Sequence, residues 1–375
     1  MPHSSIISKT VVVGMSGGVD SAVASLLLKQ QGFNVIGLFI KSWDEKDPDG
    51  SCTSAKDYTD LERICAKLQI PYTAVDLVQD YWDRVFAGFL AEIKAGYTPN
   101  PDILCNREIK FDVFMEKARA LGADFVATGH YCRLTHDAHG APTLLKGLDT
   151  NKDQSYFLHA VKGEALRKVL FPLGSMTKPE IRKIAEAAGI SVFAKKGSTG
   201  ICFIGERRFR PFLKQYLSAN EGEIRTLDEK RVGTHMGSAY FTLGQRKGLG
   251  LGGEGEPWFI VKKDTTNNIL YVARGDDHPA LYARTLYAEN PTWISGAAPE
   301  FPYKCHAKIR YRQADQMCTI TPDGASGNLR VDFDEPQRAI APGQFAVFYQ
   351  GDVCLGGAVI RRVGPCEAEL ERCAN

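Results

Sequence analysis

The chain has 375 residues, 44% of them hydrophobic and 24% charged, which is the balance of a soluble globular protein with room for two or three domains. Its formal net charge is only +2, so any nucleic-acid surface has to be a local patch. No run approaches the roughly 18 consecutive apolar residues of a membrane span. "MPHSSIISK" at the start has neither an apolar signal core nor an Arg-rich amphipathic leader, and we expect a cytoplasmic protein with no membrane partner. In that reducing setting the ten cysteines should not form structural disulfides, and none stand as Cys-x-x-Cys, the usual zinc or thioredoxin spacing.

In chain order, "TVVVGM" (10–15) is apolar and β-branched and reads as a buried strand. A turn rich in Gly and Ser follows, then "SAVASLLLKQQG" carries helical periodicity up to a glycine stop. "NVIGLFIK", "YTAVDL" and "DFVATGH" read as further strands; "AKDYTDLERICAKLQ", "IKFDVFMEKARALG" and "KPEIRKIAEAAG" read as helices. This alternation predicts an α/β fold, a doubly wound, mostly parallel sheet covered on both faces. Near residue 220 the helical pattern fades into short runs such as "PWFIVKKDTTNNILYVARG", "NLRVDFDE" and "VCLGGAVIRRV", punctuated by Gly, Pro and Asn. We expect an N-terminal domain over 1–220, a small central β-rich domain over 221–280 and a C-terminal β-barrel-like domain over 281–375.

The turn after the first strand, "GMSGGVDS", admits three chemistries. As G-x-S-x-G it matches a nucleophile elbow at Ser16, but an elbow follows several strands of a formed sheet and here only one precedes it. It has no Gly-Lys-Ser/Thr ending for a Walker A loop, and its glycines do not give G-x-G-x-x-G. The later "GLGLGG" (248–253) precedes a strand pattern and reads as a β-domain turn. What remains is an anion cradle. Gly17 and Gly18 let backbone N–H groups approach a phosphate, Ser16 and Ser21 add hydroxyls, and a helix N-terminus beginning at Ser21 adds positive charge. Asp20 is out of place beside phosphate unless Mg²⁺ bridges them or it caps the helix.

Two cysteines stand apart from the rest. "TPNPDILCNREIKFD" sets Cys105 beside Asn100, Pro101 and Asp102 in what reads as an ordered loop. "KKGSTGICFIGERRFR" sets Cys202 after a turn, among Lys195, Lys196, Arg207, Arg208 and Arg210, cations that favour a thiolate. The other eight read as buried small side chains. His136 and His139 in "THDAHG" lie in a polar loop with no further ligand and read as exposed, so no metal site is expected there.

"SGGVDS" resembles the pyrophosphate loop of adenine-nucleotide α-hydrolase-like enzymes, which bind ATP and expose its α-phosphorus. With "NPDILCNREIKF", "ATGHY", "NKDQSYFL", "LGSMTKPEIRKIAEAAG", "STGICFIGERRF", "FTLGQRKGLGLGG", "KIRYR" and "PGQFAVFY", the chain resembles the tRNA-specific 2-thiouridylase family from residue 14 to about 349. That resemblance implies ATP, with Mg²⁺, on Gly14, Met15, Ser16, Gly17, Gly18, Val19, Asp20 and Ser21, with Ile40 and Gly129 beside the nucleotide. The family usually has Met where this chain has Ile40, and a backbone contact to adenine is open to either. The implied substrate is the wobble uridine of the tRNAs for Lys, Glu and Gln, flipped into a pocket and adenylated on its C2 oxygen. Cys202 would carry sulfur as a persulfide received from a sulfur-carrier protein. Cys105 would either attack that persulfide, closing a Cys105–Cys202 disulfide, or act as the nucleophile directly. Asn100, Pro101 and Asp102 would meet the target base, with Asp102 also suited to general acid–base work. His130, Lys152, Asp153, Gln154, Arg310, Tyr311 and Gln344 would contact tRNA. Two rivals use the same loop: an ATP-dependent ligase acting on a small molecule, and an RNA-binding protein that holds ATP only as a ligand. Neither needs two cysteines.

Overall fold

The computed structural model describes residues 9–43, 53–195, 209–218 and 220–369. The apolar runs of the first third form parallel strands β1 (Thr10–Met15), β2 (Asn34–Lys41), β3 (Tyr72–Asp76) and β4 (Phe125–Ala127). After a hairpin of β5 (Cys132–His136) and β6 (Pro142–Lys146) comes β7 (Val169–Leu170). The sheet order is β3-β2-β1-β4-β7, with every pairing parallel. Strand alternation sends Val11 and Val13 into a core with α1 (Val19–Gln30), α2 (Thr53–Leu68) and helix Lys178–Ala187. Val12 points the other way, against Phe114, Met115 and Ala118. Both faces are covered, so the expected doubly wound sheet is formed. The strand order reverses between β1 and β4, and an open α/β sheet receives its ligand at that crevice, beyond the carboxyl ends of the strands.

Four strands, β8 (Gly222–Thr226), β9 (Arg231–His235), β10 (Trp258–Asp264) and β11 (Ile269–Arg274), make the middle sheet. Its Ile224, Ile260, Leu270 and Val272 share one core with Phe86, Cys105, Phe212 and Leu213. The last third is antiparallel: β12 (Tyr282–Trp293), β13 (Tyr303–Lys308), β14 (Gln316–Asp323), β15 (Asn328–Arg338), β16 (Phe345–Gln350) and β17 (Val353–Val363). These six run in the order β12-β15-β14-β13-β16-β17 and close through a β12–β17 pairing around Leu286, Val331, Phe348 and Ile360. Closure removes the sheet edges, as in other small barrels. Among the described residues no helix is long and apolar enough to cross a membrane.

Two features differ from the sequence reading. The helix expected over 109–122 starts earlier, running Pro101–Leu104, a π-helical Cys105–Val113 and Phe114–Ala120. The β5–β6 hairpin leaves its own sheet and joins the barrel's, with Leu145 opposite Val353 and the Lys146 N–H donating to the Asp352 carbonyl at 2.9 Å.

All three units meet at residues 96–98. Lys263 of β10 donates to the carbonyls of Gly96 and Phe241, both at 2.8 Å. Burial pushes its pKa down to about 8. From the barrel, Gln344 Nε2 donates to the Thr98 carbonyl at 2.7 Å and the Pro342 carbonyl accepts the Thr98 N–H at 2.8 Å. Gly343 sits at φ +94°, and a Cβ there would lie 2.7 Å from the Thr98 nitrogen. Gly343→Ala should therefore cost about 1–3 kcal/mol in urea unfolding. An unchanged midpoint would mean that the barrel does not grip this segment.

Candidate functional site

β1 ends at Met15 and α1 begins at Val19, two residues before the Ser21 start expected from sequence. Ser16, Gly17 and Gly18 alone make the turn. Gly18 is the helix N-cap and no side chain caps it, so the first amides of α1 are left for a ligand. Ser21 Oγ donates to the Gly18 carbonyl at 3.2 Å and accepts the Ser16 N–H at 3.3 Å, which holds the turn in place. Gly17 has φ +66°, and a Cβ there would lie 2.3 Å from the Asp57 carbonyl oxygen of α2. Its constraint comes from the helix packed behind the turn. At Gly18 a Cβ would meet only Ser16 Oγ, at 3.3 Å, so that side is open. Open space faced by helix amides and the exposed Ser16 hydroxyl fits a phosphate. Among the described residues Ser16 has only Ser21 Oγ hydrogen-bonded to its hydroxyl, at 3.5 Å, and no base of the kind a nucleophile elbow requires.

The neighbours of the turn frame the crevice. Gly129 follows β4, and a Cβ on it would come within 3.0 Å of Asp20 and the Ser21 nitrogen. Its backbone thus lies directly on the first turn of α1. A Cβ on Gly14 would meet Phe114 at 3.4 Å. Met15 and Val19 are buried core residues, and half-buried Ile40 stands at the carboxyl end of β2.

Asp20 does not cap the helix. Lys178 Nζ donates to its Oδ1 and Oδ2 at 2.6 and 2.8 Å, and the Tyr131 hydroxyl donates to Oδ1 at 2.6 Å. Burial, and then the Asp20 charge, raise the Tyr131 pKa and keep it a donor. Both carboxylate oxygens are thus engaged, Oδ1 twice and Oδ2 once. The same two partners reach a second turn. The Lys178 N–H donates to Asp149 Oδ2 at 2.9 Å, and the Asp149 carbonyl accepts the N–H groups of Lys152 and Asp153 at 2.9 and 2.7 Å. The Tyr131 N–H donates to Gln154 Oε1 at 3.0 Å, and the Gln154 N–H returns to the Tyr131 carbonyl at 3.1 Å. On the other flank Lys195 donates to the Gly17 carbonyl at 3.2 Å and to Asp57 and Asp60 at 2.9 and 2.7 Å. Burial opposes its charge, but the two carboxylates outweigh that and raise its pKa.

Asn100, Pro101 and Asp102 open a helix. Asn100 Oδ1 accepts the Asp102 N–H at 3.2 Å, and Pro101 takes the first helical position, where a missing N–H costs nothing. Cys105 is not on a loop as expected; it is fully buried at the first residue of the π-helical stretch. Such stretches occur often at functional positions. It packs in one core with Ile40 and Val75, at the carboxyl ends of β2 and β3, and with Phe212 and Leu213. Cys202, with Lys196, Arg207 and Arg208, lies outside the described residues. Of the cations expected to flank it, Lys195 is committed to α2 and Arg210 to the Gly248 carbonyl. Cys65, Cys132, Cys305, Cys318 and Cys354 are buried as expected. Exposed His136 and His139 join no metal cluster among the described residues.

The residues expected to contact RNA fall into two groups. Lys152, Gln154, Arg310 and Tyr311 adjoin. Tyr311 packs on Phe157, ring centroids 4.4 Å apart, and its hydroxyl lies 3.5 Å from the Lys152 carbonyl, while Arg310 is exposed beside it. Gln344 sits apart, on Thr98. Asp153 and His130 are buried. Asp153 accepts from the N–H groups of Gly147 and Ser155 at 2.9 and 3.1 Å, which shapes the turn. His130 Nδ1 lies 2.7 Å from Thr128 Oγ1, between Phe111 and Phe171, and burial, then Lys110, hold its pKa well below the ordinary range.

Three domain families match in succession: tRNA methyl transferase HUP domain (9–206), tRNA methyl transferase PRC-barrel domain (210–274) and aminomethyltransferase beta-barrel domain (283–360). The chain is similar to the tRNA-specific 2-thiouridylase MnmA of Protochlamydia amoebophila, 56% identical over 357 residues, 95% of this chain and 94% of that one. It is similar also to the MnmA of Halalkalibacterium halodurans, 54% identical over 94% of this chain and 95% of that one. The chain belongs to the tRNA-specific 2-thiouridylase family.

Reading this thiouridylase sequence alone misses Lys178, Tyr131 and Asp149, and gives Lys195 to Cys202 rather than to Gly17 and α2. Lys178 opens a stretch that reads as a helix and Tyr131 follows one that reads as a strand, and nothing in spacing places either beside Asp20, more than a hundred residues earlier. The two glycines of the turn separate stability from binding. Gly17→Ala should lower the thermal midpoint, because strain and the Asp57 carbonyl oppose it. Gly18→Ala should leave the midpoint alone and weaken ATP binding about tenfold or more by filling the opening. Calorimetric titration with ATP decides this, and wild-type affinity in Gly18→Ala would remove the turn as the phosphate site.

Proposed function

We propose that this chain thiolates C2 of the wobble uridine in tRNA, using ATP as a substrate. The observation that carries the reading is one of placement. The glycine turn and the helix bearing Asn100, Pro101, Asp102 and Cys105 both stand at the carboxyl edge of a single parallel sheet. They are joined through Gly129, on the first turn of α1, and His130, whose ring lies 5.9 Å from Phe111. A glycine turn suited to phosphate and a helix that carries a thiol thus stand at one edge of the sheet, with Cys105 itself buried beneath it. The family's relatives are thiouridylases by name, whereas the domain families carry methyl-transfer descriptions. Methyl transfer has no use for a cradle that presents the α-phosphorus of ATP.

In this reading the amides of α1, Ser16 and the Gly18 opening hold the ATP phosphates, and Ile40 and Gly129 lie along the adenosine. Mg²⁺ would accompany the ATP phosphates and offset their charge; Asp20, the carboxylate in the first turn of α1, is held by Lys178 and Tyr131. The uridine O2 attacks the α-phosphorus and pyrophosphate leaves. Sulfur then attacks C2 and expels AMP. Either the terminal sulfur of a Cys202 persulfide makes that attack and Cys105 afterwards attacks Cys202 Sγ, with the C2-bound sulfur as the leaving group, or Cys105 attacks Cys202 Sγ first and frees HS⁻ to attack. Both routes leave the sulfur on the base and a Cys105–Cys202 disulfide, whose two electrons a thiol reductant returns. The persulfide itself comes from a sulfur-carrying protein. Asn100, Pro101 and Asp102 meet the base, while Lys152, Gln154, Arg310, Tyr311 and Gln344 border the RNA, and buried His130 and Asp153 shape the walls behind them.

The two cysteines should fail differently. Cys202→Ser should accept no sulfur from a persulfide donor. Cys105→Ser should still load Cys202 but deliver nothing to the base. Non-reducing peptide mapping of single-turnover reactions, together with nucleoside mass spectrometry of the tRNA, reads both. Normal 2-thiouridine from both variants would end the assignment.

A further inference from the structure

A chain of net charge +2 collects four cations along one line. The turn after β13 carries exposed Arg310, whose Nη2 donates to the Arg338 carbonyl at 2.5 Å. Arg338 ends β15; its guanidinium lies 5.0 Å from the centre of the Phe259 ring and its Nε donates to the Asp276 carbonyl at 3.0 Å. The glycine-rich stretch of the middle sheet meets this strand end directly. A Cβ on Gly244 would stand 2.6 Å from Ala339 Cβ and 3.5 Å from Arg338 Nη1. Two residues on, Arg246 and Lys247 are exposed.

Arg84, Arg133, Arg225, Arg330 and Arg361 each hold a carboxylate. Among the described residues Arg246, Lys247, Arg310 and Arg338 hold none within 4.0 Å. Among the described residues Arg167, Arg312 and Arg362 also lack a carboxylate within 4.0 Å; what marks this row is that its members adjoin. The nearby acids are otherwise arranged: Asp277 takes the Tyr282 hydroxyl, and Asp276 meets Arg338 only through its carbonyl. Partial desolvation and the adjacent Arg338 charge work against Arg310's own. The backbone beneath is fixed. Gln245 Nε2 donates to the Lys247 carbonyl at 2.9 Å, Gln245 Oε1 accepts the Thr242 N–H at 3.1 Å, and Arg210 donates to the Gly248 carbonyl at 3.1 Å. Unpaired like charges on a rigid ridge repel one another until a polyanion supplies the missing partner.

We propose that Arg246 and Lys247 continue the Arg310–Arg338 surface into one phosphate-binding ridge, running from the middle sheet onto the barrel, for the RNA backbone. This rests on the tRNA reading above and extends it to the middle domain, where no RNA contact was expected from the sequence. Phosphate contacts fix register and orientation without reading sequence, so the ridge would position the tRNA and leave the choice of base to the crevice.

The test compares the full chain with its R246Q/K247Q variant in tRNA binding across a salt titration. Two lost phosphate contacts should weaken binding roughly tenfold at low salt and reduce the log–log salt slope by about one to two units. R246K/K247R, which keeps the charges, should restore both values. Affinity and slope equal to the wild type's, with 2-thiouridine still formed by the wild type, would overturn the ridge alone. Loss of binding in R246Q/K247Q that R246K/K247R fails to restore would also overturn it, as a packing effect. Failure of the wild type to form 2-thiouridine would instead overturn the functional reading.

Discussion

The two bonds that Lys178 and Tyr131 make to Asp20 are the constraint on which the site depends. Asp20 lies in the first turn of α1, where a free carboxylate would compete with a phosphate for the helix amides. A charge-assisted pair with Lys178 and a short bond from Tyr131 draw it away from that role. The same residues hold Asp149 and Gln154, so the turn 149–154 cannot move without disturbing the glycine turn. Two segments more than a hundred residues apart in sequence become one wall, the glycine turn and the turn 149–154 sharing the hydrogen bonds of Lys178 and Tyr131. Lys195 closes the opposite flank by tying Gly17 to α2.

A second constraint acts on the thiol. The segment before Asn100 is held by Lys263 of the middle sheet and by Thr98's bonds to Pro342 and Gln344 of the barrel. The three domains therefore meet where the chain enters the helix that carries Cys105. The β5–β6 hairpin adds a third connection by joining the barrel's sheet. Positioning a base and a thiol against ATP requires the parts to be rigid to a fraction of an ångström, and interdomain hydrogen bonds provide that.

What could be read from the sequence was whatever sits in short contiguous motifs. Alternating apolar strands and periodic helices gave the parallel sheet, and the glycine turn between β1 and α1 was legible because its neighbours in sequence are also its neighbours in space. Gly17 was expected to serve the ligand's approach, yet the structure assigns its constraint to the Asp57 carbonyl behind it. Cys105 looked like a loop residue because Pro101 and Asn100 are turn formers; here they start and cap a helix instead. Lys178 and Tyr131 were invisible as partners of Asp20 because pairing across the sheet's switch point depends on topology, not spacing. Arg246 and Lys247 precede the glycine turn 248–253 and carry no signal of their own; only the barrel's approach to Gly244 brings them near Arg338.

The central claim is that the glycine turn presents the α-phosphorus of ATP to an RNA oxygen. It is tested most directly by following which phosphate is released in a single turnover, using ATP labelled separately at the α and γ positions. The account predicts pyrophosphate and AMP, in amounts matching the tRNA supplied and absent without it. Release of ADP and inorganic phosphate, or equal pyrophosphate release without RNA, would contradict it.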